Sequence, residues 1–158
     1  MDDTLLKIQK LVPEKELSAL REIVIYQEND STYNAYGKYM IEKNTDGIYN
    51  VSVLGTHTTK NFYKLKNALA WCSFDKRMLY KDSNRLHQLD QLIFGVDTEI
   101  QIHSRLVKKS KNEESTLIYL AKLLQNKAKK RSFTNEISDY IGDYQRWQNK
   151  MFNTKPSY

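Results

Sequence analysis

The sequence predicts an α+β, mainly α fold, with a small antiparallel β-hairpin or three-stranded sheet followed by a long antiparallel helical hairpin and a C-terminal helix. Two observations support this prediction. Two runs of alternating residues flank an Asp-Gly turn in the first third of the chain, and apolar seams with alternating steps of three and four fill the last half. The chain has 158 residues, which suits a single domain over residues 1–158.

Residues 1–35 are predicted to hold N-terminal helices and a linker. Apolar residues at helical spacing run from Thr4 to about Gln27. Pro13 suits the first turn of a second helix, so we expect a break there. The segment Gln27–Thr32 has no periodicity, which is typical of a linker.

Residues 36–78 are predicted to form the β-hairpin and a helix. The runs Tyr36–Lys43 and Ile48–Leu54 flank a turn that contains Asp46-Gly47, a strong hairpin signal. A lone hairpin is marginal in water, so a third strand near Thr58–Phe62 or a covering helix is expected. The residues that would share the buried face of the hairpin are Tyr39, Ile41, Tyr49, Val51 and Val53. The residues at helical spacing after it are Leu65, Ala68, Leu69 and Cys72.

Residues 79–152 are predicted to form the long helical hairpin and the C-terminal helix, and residues 153–158 a tail. The segment Ser110–Glu113 has the form of a capping box between the two arms. A final seam from Phe133 to Met151 is out of phase with Leu124, so the helix either breaks near residues 131–132 or its stripe rotates there. The predicted helical interface consists of Leu86, Leu89, Ile93, Val96, Ile100, His103, Val107, Leu117, Leu120 and Leu124. The predicted register sets Val107 level with Leu117, Ile100 with Leu124, and Val96 with Ala128.

The net charge of +6 makes nucleic acid a possible partner. The candidate binding residues are Lys60, Lys64, Lys66, Lys108, Lys109 and Lys111. An aromatic and basic mixture around the hairpin could stack bases or form the buried face of the hairpin; it consists of Tyr36, Tyr39, Tyr49, Phe62 and Tyr63 with Lys38, Lys43, Lys60, Lys64 and Lys66. Two alternatives compete with a role in binding: a lysine-rich composition without selection for binding, and acidic neighbours across the hairpin that balance part of the charge. In the predicted register Arg85 falls between Glu136 and Asp143, and Lys127 lies level with Asp97.

Several function classes lack their usual residues. The lone Cys72 lies among apolar residues and is expected to be a buried thiol. The three histidines lack the spacing of a helical zinc site, and the glycines do not cluster into a phosphate loop. We therefore expect no enzyme, catalytic residue, metal, cofactor or small-molecule substrate. Without a signal peptide or an apolar run long enough to cross a bilayer, we also expect no membrane association and a cytoplasmic location.

Three stretches carry a resemblance to known proteins. They are Tyr36–Ile41, then Gly47–Val51, then Phe62–Cys72, in which a short hairpin leads into an F-x-x-L-x-x-A helix and long charged helices. In this order and style, residues 36 to 150 resemble small uncharacterised proteins of marine tailed phages. The resemblance implies a phage setting and brings no activity or binding residues with it.

The sequence thus leaves three hypotheses about function. The preferred one is a non-catalytic structural or assembly protein acting through helical contacts with a protein partner or with copies of itself. The resemblance implies a phage virion or accessory component, located in the host cytoplasm or the virion. Apolar residues beside the predicted seam motivate it, because further surface must cover them. They are Leu92, Ile102, Leu106, Ile118 and Leu123. The alternative is a basic nucleic-acid-binding accessory protein, and the third is an enzyme of unfamiliar type.

Overall fold

The computed structural model of the protein describes residues 19–153. After a helical turn at residues 19–21, the strands are β1 (Ile25–Asn29), β2 (Thr32–Ala35), β3 (Tyr39–Lys43), β4 (Tyr49–Val53) and β5 (Thr59–Phe62). The helices that follow are α1 (Leu65–Lys76), α2 (Tyr80–Lys109) and α3 (Glu113–Asn153). The coarse prediction of a mainly helical protein, with an antiparallel sheet followed by helices, is confirmed.

The strands form one antiparallel sheet in the order β1-β2-β3-β4-β5. The predicted hairpin corresponds to β3 and β4, where Ile41 lies opposite Val51 and Tyr39 opposite Val53, and all four side chains are buried. The predicted third strand is β5. Gly47 has φ +80°, a conformation that glycine adopts without the steric penalty of a Cβ, as the Asp-Gly signal requires.

The prediction of a helix and a linker is wrong over residues 25–35, where two strands form and give the sheet five strands. The supposed linker forms the end of β1, a turn and the start of β2, and Ile25 lies opposite Ala35. In the turn, the Asn29 side-chain oxygen accepts a 2.9 Å hydrogen bond from the Ser31 amide. These strands lack a strong alternation of their own, so their pairing with β3 stabilises them. The expected break at Pro13 lies outside the described residues.

One hydrophobic core joins the sheet to the helices. The helix α1 lies against the sheet with Ala68, Trp71 and Phe74 buried. The first half of α2 contributes Leu86 and Leu89, and the second half of α3 contributes further core residues. We call this unit the body; its helical part comprises α1, residues 80–93 of α2 and residues 133–147 of α3. The remainder of the helical hairpin, residues 94–132, is called the arm.

The returning helix differs from the prediction, because α3 is one continuous helix of 41 residues. The prediction of a separate C-terminal helix is therefore wrong. Near residue 131 the helix does not break, and its apolar seam does not rotate. One seam of buried and half-buried residues runs along α3 with steps of three and four, and it includes Leu123 in place of Leu124. Its members are Thr116, Tyr119, Leu123, Asn126, Lys130, Phe133, Ile137, Tyr140, Tyr144 and Trp147.

The cap of α3 also differs from the predicted capping box. The side-chain oxygen of Asn112 accepts hydrogen bonds from the amides of Glu114 and Ser115 at 2.8 and 3.3 Å. Asn112 is thus the N-cap, two residues after Ser110, and it satisfies amides that lack a partner within the helix. The helical hairpin itself is confirmed, with a sharp turn between α2 and α3.

Candidate functional site

The arm is a thin two-helix projection from the body. On α2, Ile93 is the last buried residue, and sixteen residues follow it before the helix ends at Lys109. At 1.5 Å per residue the arm extends about 24 Å beyond the core. Among the described residues of the arm only Leu123 is buried. Such a projection exposes most of its side chains to solvent.

The seam inside the arm contains polar pairs beside its apolar residues. Lys130 and Asp97 form an ion pair at 2.6 Å, and the Asn126 side-chain nitrogen lies 3.4 Å from Nδ1 of His103. Polar pairs of this kind set the register of two helices while contributing little hydrophobic stabilisation. Asp97, predicted to lie level with Lys127, pairs instead with Lys130, one helical turn along α3. Arg85, predicted to fall between Glu136 and Asp143, pairs with Glu136 at 2.6 Å, whereas Asp143 pairs with Arg77 at 2.9 Å.

The outer side of α3 carries an apolar stripe. Leu117, Leu120 and Leu124 are 60%, 38% and 57% exposed and follow one another at steps of three and four, so they share a face. The same spacing continues to Glu113 at one end and to Lys127 and Arg131 at the other, and all six residues are exposed. We call these six residues the leucine stripe. It is acidic at the tip, apolar in the middle and basic toward the body.

The predicted helical interface therefore divides in two. Its α2 members lie at the seam as predicted: Leu86, Leu89 and Ile93 are buried, and Val96, Ile100, His103 and Val107 are half-buried. Its α3 members, which form the centre of the leucine stripe, are wrong as hairpin contacts because they point to solvent. The signal that could have found the true phase is the seam of Phe133 to Trp147, which extends back through Leu123 without a change of spacing.

The candidate nucleic-acid-binding lysines form two groups. Lys60 is half-buried and Lys64 and Lys66 are exposed near the base of the arm, where the Tyr63 ring stacks on Phe94 at 3.7 Å. The second group, exposed at the tip, is Lys108, Lys109 and Lys111. From Phe94 to Lys108 the helix rises about 21 Å. The two groups thus lie at opposite ends of the arm and do not form one patch.

Three of the five aromatic residues in the mixture around the hairpin belong to the core. Tyr36, Tyr39 and Phe62 are buried, and the Trp71 ring lies 6.1 Å from Tyr39 and 6.2 Å from Phe62. Stacking of bases on these three rings is therefore excluded in the folded chain, and the alternative interpretation, a buried hairpin face, is confirmed.

A groove of about 390 Å³ lies at the base of the arm. At its floor the buried Asp90 carboxylate accepts hydrogen bonds from the Tyr63 amide at 3.0 Å and from the Asn67 side chain at 2.8 Å. Burial raises the pKa of Asp90 above its usual 3.8, and these hydrogen bonds limit the rise. Because its oxygens are engaged in holding the β5–α1 loop to α2, Asp90 has a structural role.

Three further features of the described part of the chain concern thiol reactivity, metal binding and membrane crossing. Cys72 is fully buried as expected, and burial raises the pKa of its thiol. Within residues 19–153, no group of three or more histidine, cysteine or carboxylate side chains is placed to hold a metal ion. None of the described helices is long and apolar enough to cross a membrane.

Comparison with known proteins adds no relative. No family model, curated protein or solved structure matches this chain.

Proposed function

We propose that this protein is a non-catalytic structural or assembly protein whose helical arm binds an amphipathic helix through the leucine stripe. The observation that carries the proposal is the exposure of Leu117, Leu120 and Leu124 on one face of a projecting helix. Three leucines at helical spacing are the anchors that a helix-on-helix contact uses. Placed away from the body, they are accessible without any rearrangement of the core.

The distribution of apolar surface on the arm supports binding of a helix more than it supports catalysis. The arm adds about 24 Å of helix that contributes little to the core, and its inner seam includes the polar pairs Lys130–Asp97 and Asn126–His103. A chain that needed the arm only for folding would gain more from burying its leucines than from exposing them. An arm that exposes three leucines on its outer face suits binding of another helix.

A photoreactive amino acid in place of Leu120 tests the proposal in the native host cells. We expect covalent adducts with one protein, identified by mass spectrometry. The matched control is the same amino acid in place of Ile102, which is exposed on α2 and lies outside the stripe. Adducts at position 120 no more abundant than at position 102 would contradict the proposal.

Charge on the arm favours a second candidate function, binding of nucleic acid. Residues 94–132 contain nine basic and four acidic side chains. The exposed Lys108, Lys109 and Lys111 at the tip are free to approach phosphates, where each contact adds salt-dependent affinity.

Fluorescence anisotropy with duplex DNA, single-stranded DNA and RNA at two salt concentrations tests this second function. We expect weaker binding at the higher salt, and weaker binding by a variant with glutamine at all three tip lysines. Glutamine at Lys60, Lys64 and Lys66 shows whether the second predicted group contributes, and Lys81→Gln, exposed outside both groups, is the control. The absence of salt-dependent binding to any of the three ligands would exclude this function.

A further inference from the structure

We infer that the occupant of the leucine stripe is the same stripe of a second copy of this chain, running antiparallel to it. This inference rests on the proposed function and names the partner. The stripe, from Glu113 through the three leucines to Lys127 and Arg131, has opposite charges at its two ends. That asymmetry makes it complementary to itself in one orientation only.

In the antiparallel orientation leucine meets leucine in the middle of the contact. Glu113 of each copy then lies beside the basic end of the other stripe, and the contact is isologous, so the same pair of charges is used twice. In the parallel orientation Glu113 would face Glu113 and Arg131 would face Arg131, which is repulsive at both ends. Charges at the edge of a helical contact set its orientation in this way.

The dimensions of the arm also fit this contact. The stripe spans nineteen residues of α3, from Glu113 to Arg131, which is eighteen steps or about 27 Å. When two stripes are aligned end to end, the tip of one arm reaches the level of Arg131 of the other, just before Phe133 and the body. The two bodies then lie at opposite ends of the paired arms and do not collide.

Three leucines per copy make a small apolar patch, so the dimer should be weak, with a dissociation constant on the order of 10 μM. Sedimentation velocity over a range of concentrations should show the full chain changing from monomer to dimer. Leu120→Glu should weaken the association about tenfold or more, because it places a charge in the centre of the contact. Ile102→Glu, a matched change outside the stripe, should leave the association unchanged.

Crosslinking between introduced cysteines tests the orientation. In the antiparallel dimer, Glu113→Cys of one copy lies level with Arg131→Cys of the other, whereas two copies of the same variant keep their thiols about 27 Å apart along the axis. A short bismaleimide should therefore crosslink a mixture of the two variants and neither variant alone. Cys72 is buried, so the natural protein serves as the uncrosslinked control.

The outcomes separate this inference from the proposed function. Crosslinking of each variant with itself would overturn the antiparallel orientation. A chain that stays monomeric at its solubility limit, with its circular dichroism and melting temperature unchanged in Leu120→Glu, would overturn the second copy as partner. If the photoreactive group at position 120 then reacts with a different protein, the proposed function stands without this inference; if it reacts with none, both are overturned.

Discussion

The hydroxyl of Tyr36 donates a 2.8 Å hydrogen bond to the side-chain oxygen of Gln148, although 112 residues separate the two side chains. The amide nitrogen of Gln148 donates at 2.6 Å to the carbonyl of Ile23. One side chain at the end of α3 thus connects the β2–β3 turn with the segment that leads into β1. Tyr36 itself has φ +60°, a strained conformation for a residue with a Cβ, and this packing holds it there.

Replacing Gln148 should therefore destabilise the body. We expect Gln148→Ala to lower the free energy of unfolding by about 2 kcal/mol, because two hydrogen bonds are lost in a partly buried place. Urea denaturation followed by circular dichroism measures the change. Gln145→Ala, an exposed neighbour on the same helix, should change it by less than about 0.5 kcal/mol. Equal effects of the two substitutions would contradict the role of Gln148.

Adjacent leucines in the arm should differ sharply in their effect on stability. Leu123 is 7% exposed at the seam, so Leu123→Ala should cost about 2 kcal/mol, whereas Leu124→Ala on the outer stripe should cost less than about 0.5 kcal/mol. Thermal and urea unfolding at low protein concentration measure both. A larger loss of stability for Leu124→Ala than for Leu123→Ala would place Leu124 at the hairpin seam and contradict the face of α3 that packs against α2.

Met78 offers a stabilising substitution. The helix α1 ends with hydrogen bonds from the Met78 amide to Asp75 and from the Leu79 amide to Phe74, a Schellman pattern in which Met78 has φ +63°. Because its side chain is 73% exposed, Met78→Gly should relieve strain with little loss of packing and stabilise the protein by about 1 kcal/mol. Met78→Ala, which keeps the Cβ, should not raise the melting temperature. A lower melting temperature for the glycine variant would contradict this account.

The Asp90 carboxyl should titrate above 3.8 in the folded protein, because burial disfavours its charged form. Its contribution to stability is then greatest below the pKa of the unfolded chain and is lost as the pH rises through the folded value. NMR titration of the carboxyl carbon measures this pKa. Asn67→Ala should raise it further, since the Asn67 hydrogen bond favours the carboxylate, and Gln91→Ala should raise it less. A folded pKa at or below 3.8 would refute the assignment.

Glu136 should behave in the opposite way. Hydrogen bonds from Arg85 hold the pKa of Glu136 below its usual 4.5, so the stability from this pair is present above 4.5 and is lost as the pH falls through the folded pKa. We expect Arg85→Gln to raise the pKa of Glu136 toward 4.5, measured by NMR titration. Lys122→Gln, exposed on the arm, should leave it unchanged. No shift in the Arg85 variant would show that the pair does not form in solution.

The sequence predicted those strands and helices whose turn signal or periodicity can be recognised from neighbouring residues alone. The Asp46-Gly47 turn and the alternation of Tyr39, Ile41, Val51 and Val53 determine the central hairpin, because a turn signal and a period of two need no distant partner. The seam of α2 was found for the same reason. In contrast, β1 and β2 lack a pattern of their own: β2 is stabilised by pairing with β3, and β1 by pairing with β2, so the sequence indicated a linker over Gln27–Thr32.

The face that α3 presents to α2 was decided only in three dimensions. The first half of α3 carries two stripes with helical spacing, one through Leu123 and one through Leu124, and the more apolar stripe is the exposed one. The choice follows from the body, where Ile137, Tyr144 and Trp147 dock on the core and fix the rotation of a continuous helix as far as the tip. The sequence thus determined that the arm would be helical and apolar on one side. Tertiary packing decided which side faces solvent, because a rigid helix rotates as a unit and the larger buried surface sets its phase.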